Sequence, residues 1–161
     1  MATREELVAG LELTVAQAKR TTALFAAGEW DSKRAAGWTP MEIYSHLASV
    51  AAIVPNWSQS VMSLPEGADL AQGMDADRLN QMNAQSVAAM ASMTPEQVMR
   101  TFEENYGKLI DFMKSVPDEQ LNAKRRFFSE AVPVSDIMAS SIMLHGLHHV
   151  YEAYSRLGAP A

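Results

Sequence analysis

Apolar residues recur at spacings of three and four over most of the chain, and three of these runs open on one signature: Thr3-Arg4-Glu5-Glu6, Thr39-Pro40-Met41-Glu42 and Thr94-Pro95-Glu96-Gln97. A Thr hydroxyl three residues before a Glu or Gln can accept the free backbone N–H there while the longer side chain returns to the Thr N–H, which starts a helix. Proline at the first helical position gives up an N–H that would have no partner anyway. Behind the first signature Leu7, Leu11, Val15, Ala18, Thr22 and Phe25 predict a helix ending at Gly28. Residues 29–38 suit a connection. The second helix runs to about Val54, where Pro55 must kink or end it, with Trp57 to Met62 able to continue helically.

SLPEGADLAQGMD, residues 63–75, has no apolar period and reads as a long loop. Extended, it reaches roughly 40 Å, more than the roughly 30 Å of a twenty-residue helix, so it can return along a bundle and leave the second and third helices parallel. Leu79, Met82, Ser86 and Met90 then mark a helical segment over 77–92, and Val98, Phe102, Leu109 and Met113 a second over 95–117, a third helix in two pieces. The last helix is expected from an N-cap at Ser135, with Asp136 in its first turn, to Gly158. No Asp, Glu, Lys or Arg stands between Asp136 and Glu152. A helix apolar all round is central or lies under a partner subunit. Ala139, Ser140, Met143, Gly146, Leu147 and Val150 are the side expected to meet a second copy in a homodimer. No strand-like alternation stands out, and residues 1–161 read as one all-α domain, a four-helix bundle with a long crossover between helices two and three.

Composition narrows the chemistry. A formal charge of −6, pI near 5.2 and a single basic cluster, Lys124-Arg125-Arg126, speak against nucleic acid as a partner. The absence of cysteine removes disulfides, thiolate nucleophiles and Cys-type zinc knuckles, so a metal would have to use His, Asp or Glu. With no signal-peptide run and no 18-residue apolar stretch, a cytoplasmic protein without membrane attachment is expected. The 11 methionines scatter at helical spacing, as packing residues do.

Three of the four histidines fall in LHGLHHVYEAY, residues 144–154. Positions four apart on a helix differ by roughly 40° in direction, so His145 and His149 project together, while His148 lies roughly 100° round from His149. This i, i+4 spacing lets one helix offer two imidazoles to one ion; the alternative is a pair of hydrogen-bonded core imidazoles. The fourth, His46, interrupts the apolar pattern of the second helix. Three imidazoles from two helices form a half-open set with room for water or substrate.

The segments GWTPMEIYSHLASV (37–50), MTPEQVMRTFEENYGKLIDFMKSVPDEQL (93–121) and HGLHHVYEAY (145–154) resemble the DinB/YfiT-like superfamily. That resemblance implies a four-helix bundle, usually dimeric, that binds a divalent metal through one His of helix two and two positions four apart in the last helix. On this chain these are His46, His145 and His149. Zinc is the favoured ion, with nickel and iron also suited to three imidazoles. The chain has Val150-Tyr151-Glu152 where many members have Arg-Gly-Gln. Glu152, four after His148, is expected to pair with that imidazole at the surface; the alternative is that it orients a ligand imidazole.

Characterised members of the group include bacillithiol S-transferases and mycothiol-dependent isomerases and transferases. The function implied is a metal-dependent S-transferase acting on a low-molecular-weight thiol and a small electrophile. The alternative is a non-catalytic metal-binding or small-molecule-binding stress protein. Tyr44, Asn83 and Tyr106 are candidates for polar substrate contacts, each with a plain packing or surface reading beside it.

Overall fold

The computed structural model describes residues 1–65, 67–69, 75–127 and 130–155. Its elements are α1 (Arg4–Thr22), a 3-10 turn (Glu29–Asp31), α2 (Pro40–Ser63), α3 (Ala76–Ala88), α4 (Pro95–Ser115), the short α5 (Asp118–Asn122), strands β1 (Lys124–Phe127) and β2 (Glu130–Pro133), α6 (Val134–Met138), a π-helical stretch (Ala139–Leu144) and α7 (His145–Tyr154). All three Thr signatures form two-way capping boxes, at Thr3, Thr39 and Thr94.

Four long helices make the bundle: α1, α2, α4 and the run α6–π–α7. Ion pairs Lys19–Glu103 (2.8 Å) and Lys114–Glu12 (3.3 Å), with Arg4–Asp118, step along α1 and α4 in opposite directions, so these two are antiparallel. Asn105 Nδ2 donates to the Ala48 carbonyl at 3.0 Å, and the end of α2 shares a cleft with Phe112 and Ser115, so α2 and α4 run parallel. This is the arrangement the long crossover required. The core is filled by Tyr44, Phe102, Tyr106, Leu11, Leu47 and Leu109, each at most 2% exposed.

The structure departs from the expected elements at several points. Helix α1 stops at Thr22, short of Gly28, because the Thr21 and Thr22 hydroxyls both donate back to the Ala18 carbonyl, and such local bonds compete with the helical ladder. Phe25 sits beyond the end and packs edge-on against Trp30. Helix α2 passes through Pro55 without a break. The return leg of the crossover is largely helical: α3 packs chiefly on α2, Ser49 donating to the Ser86 carbonyl, and it buries no residue fully. It is therefore no half of a bundle helix but an outer strap, which its own composition explains, since Leu79 and Met82 are too few to anchor a core helix.

The hairpin β1–β2 was hidden by its brevity: four residues a strand, with Arg125 in the buried position. Arg125 donates to the Val61 and Met62 carbonyls at 3.3 and 3.2 Å, satisfying the C-terminus of α2. Buried Arg34 does the same for the last turn of α7, donating from Nε to the Ala153 carbonyl at 2.8 Å. Thus one member of the only basic cluster is an internal cap. The last helix starts at Val134, not with a Ser135 cap; Pro133 takes the cap position with no side-chain bond, while Asp136 accepts from the Ala2 N–H at 2.8 Å. Gly158, its expected end, lies outside the described residues.

The small residues of the last helix meet α1 of the same chain. Gly146 and Val150 are buried, and a Cβ on Gly10 would overlap Met143. The side expected to meet a second copy is therefore partly internal: of its residues only Ser140 is exposed, and Leu144, His148 and Tyr151 face outward beside it. The reason is that α1 packs on that side of the last helix, Gly10 against Met143 and Thr14 against Gly146.

Two glycine replacements test this packing. A Cβ on Gly146 would stand 2.7 Å from the Tyr106 hydroxyl and 2.9 Å from Thr14 Cγ2, whereas one on Gly107 meets nothing within 4 Å. Urea unfolding of Gly146→Ala is expected to show a loss of about 1–3 kcal/mol. Gly107→Ala should gain about 0.5–1 kcal/mol from helix propensity. Equal effects at the two positions would contradict the close α1–α7 approach.

Candidate metal centre

His46 lies in the second turn of α2, 3% exposed, and α7 supplies His145 and His149. The three rings meet edge to face, with centroids 5.1 Å apart for His46–His145, 5.1 Å for His46–His149 and 4.6 Å for His145–His149. One nitrogen from each lies within 4.8 Å of the others. Nε2 of His46 and Nε2 of His145 are 3.1 Å apart. Two nitrogens on a tetrahedral zinc, each at about 2.0–2.1 Å, would be about 3.3 Å apart, so this spacing needs little adjustment to hold an ion.

The surroundings fix the rings. Glu152 Oε2 accepts from His149 Nδ1 at 2.7 Å, which puts the hydrogen on Nδ1 and leaves Nε2 with its lone pair. Trp38 stacks on His149, interplanar angle 5°, and sets its edge against His46. The surface pair expected between Glu152 and His148 is replaced by this contact three residues away, because His149 is half-buried and His148 is exposed. Nδ1 of His46 and of His145 are buried with no hydrogen-bond partner. An unpaired buried polar group costs about 1–3 kcal/mol. The chain therefore does not by itself satisfy these two rings, and the three converging imidazole nitrogens fit a divalent ion.

Electrostatics keep these rings neutral. Burial, followed by the neighbouring His145 and His149, pushes His46 down from 6.5 to about 3. Burial, then His149 and His148, lowers His145 to about 4. His149 is lowered by burial too, against the opposing pull of Glu152.

The imidazoles open onto a cavity of about 630 Å³, a size that suits a small ligand. Its walls include Trp38, Val50, Ile53 and Trp57 from α2 and the turn before it, Leu79, Met82 and Asn83 from α3, and Phe127 from β1. Of the three polar contacts expected from the sequence, Asn83 lines it. Tyr44 and Tyr106 do not: both are core residues, Tyr44 sharing a hydrogen bond with Thr21 at 3.2 Å and Tyr106 packing on Phe102 and over Gly146. Sequence reasoning missed Trp38, although its place just before the Thr39 cap was the available signal. It also missed the aromatic wall, whose members are far apart in sequence.

A parallel α2–α4 pair, an antiparallel α1–α4 pair and an imidazole cluster between α2 and the last helix define a four-helix bundle with one long crossover. Solved structures of this fold match the chain closely in shape. One is the mycothiol-dependent maleylpyruvate isomerase, with TM-score 0.67 and 16% identity over 99% of this chain and 62% of that one. A His-to-Ala variant of that isomerase gives TM-score 0.67 at 15% identity, with the same coverage. Another is YfiT from Bacillus subtilis, described as "a probable metal-dependent hydrolase with an unusual four-helix bundle topology", with TM-score 0.66 and 16% identity over 93% of this chain and 83% of that one. The chain thus spans about three-fifths of the isomerase's length. No protein-family model matches the sequence, and no curated protein sequence matches it significantly. At such identities the likeness is one of fold. Among the described residues no helix is long and apolar enough to cross a membrane.

The depressed imidazoles make stability pH-dependent. Their pKa values are lower folded than unfolded, so as pH falls below about 6.5 the unfolded chain takes up protons first, and the stability present above that value is lost progressively down to about pH 4 for His145 and about pH 3 for His46. Chelator-treated protein should lose up to about 1.4 kcal/mol per pH unit per ring in urea melts between pH 6.5 and 5. The double variant His46→Asn, His145→Asn should flatten that slope; an equally steep slope in the variant would contradict the assignment.

Proposed function

We propose that the protein is a divalent-metal-dependent S-transferase of cytoplasmic location, with His46, His145 and His149 as metal ligands and a low-molecular-weight thiol as one substrate. The observation that carries the reading is the gathering of three neutral imidazoles on the wall of an apolar cavity. The metal-dependent and mycothiol-dependent proteins of the same fold support it by analogy. Zinc suits the three-nitrogen set, as do nickel and iron.

A divalent ion held there supplies positive charge that favours a thiolate over a thiol at neutral pH. The chain's residues do the rest. Glu152 holds the His149 tautomer, Trp38 holds two ring planes, and the apolar wall keeps bulk water from the reacting sulfur. In the reaction the thiol proton passes to solvent and the sulfur electron pair forms a bond to an electrophilic carbon. That carbon releases a leaving group with its bonding pair, or, where the sulfur adds to a double bond, the neighbouring carbon takes up a proton. The homodimer is proposed through the outward Leu144 and Tyr151, 56% and 60% exposed, and light scattering giving a monomer at micromolar concentration would contradict it.

The competing reading is binding without turnover, favoured by the scarcity of acid–base groups on the cavity wall, where Glu152 and His148 stand beside the three imidazoles. Thiol consumption with a generic electrophile separates the two. The protein should consume thiol at a rate that chelation abolishes and readdition of the ion restores. His46→Ala, His145→Ala and His149→Ala should each fall to background, and His148→Ala should keep at least about half the rate. Metal retention with no turnover across a broad panel would favour the binding protein, and full activity without metal would reject the mechanism.

A further inference from the structure

The wall facing the imidazoles carries information about the second substrate. From α2 it presents Val50, Ile53 and Trp57; from α3, Leu79 and Met82; from β1, Phe127. Among the described lining residues there is no Lys or Arg, and the one carboxylate, Glu152, already accepts from His149. A carboxylate, phosphate or sulfate on the distant part of a ligand would lose its hydration here and gain no cation in return, a cost that an uncharged ring avoids. Trp38, Trp57 and Phe127 provide flat apolar surface suited to aromatic contact. On the strap α3, Leu79 and Met82, 38% and 43% exposed, line the cavity and are side chains that a bound ring would cover.

We infer that the cavity selects a neutral, apolar, ring-containing electrophile as the partner of the thiol and discriminates against anionic ones. This rests on the proposed S-transferase reading for the word electrophile, while the selectivity itself rests on the wall alone.

The test uses an isosteric pair, 2-acetylnaphthalene and 2-naphthoate, which differ by a methyl ketone against a carboxylate. Binding to the full chain is measured by calorimetry, both as purified and after chelation, so that coordination of the carboxylate by an ion is kept apart from selection by the wall. In chelated protein the ketone should bind at least about tenfold tighter. Ile53→Lys and Met82→Lys replace exposed side chains and should leave the fold intact; each should narrow that ratio at least about threefold by favouring the naphthoate. Equal or tighter naphthoate binding in chelated protein, no binding of either probe, or a ratio unmoved by both lysine variants would each overturn the inference. Absence of metal or of thiol turnover would defeat the S-transferase reading and leave this ratio standing.

Discussion

Three imidazoles have to be held uncharged inside a helical bundle, and the architecture around them answers that constraint. Neutral rings survive there because burial and their own mutual repulsion make protonation unfavourable, with His46 and His145 pushed furthest. Keeping them close requires that α2 and α7 meet side by side, which in turn requires α1 to press against the other side of the last helix. Gly10, Thr14 and Gly146 make that contact, where a single added carbon would collide. Capping of both histidine-bearing helices by buried arginines, Arg125 on α2 and Arg34 on α7, satisfies carbonyls at their C-terminal ends. The core at the far side, built on Tyr44, Phe102 and Tyr106, is thus a support for the imidazoles and not a part of their cavity.

Much of this was legible in the sequence, for identifiable reasons. Capping boxes are local, so Thr3, Thr39 and Thr94 announced three helices with no knowledge of the fold. The pairing of His145 with His149 is likewise local, a consequence of 3.6 residues per turn. The length of the segment after α2 was enough to foresee its parallel relation to α4. Features that depend on long-range partners were not legible. Tyr44 sits two residues before His46, close in sequence, yet it points into the core because successive helical positions diverge by roughly 100°. Arg125 reads as a surface cation until the α2 terminus is brought to it. The π-helical stretch is another case: Ala139-Ser140-Ser141 carries no warning, although Ser140 donates back to the Ile137 carbonyl at 3.0 Å.

Glu152 illustrates how one position can be right in role and wrong in partner. Its spacing pointed to His148, but the helix turns His149 toward the cavity and leaves His148 to solvent, so the carboxylate engages the ring that needs orientation. The same residues bring His148, His149 and Glu152 within reach of one another, a second donor group on the outer rim. The two groups share His149 and differ in whether the ion is drawn from α2 and α7 together or from α7 alone.

Ring-nitrogen chemical shifts of the four histidines decide between them. In metal-free protein titrated with one equivalent of zinc, the account predicts large changes at one nitrogen each of His46, His145 and His149, with His148 unmoved. Changes confined to His148 and His149 while His46 stays constant, or no change at any imidazole, would contradict it.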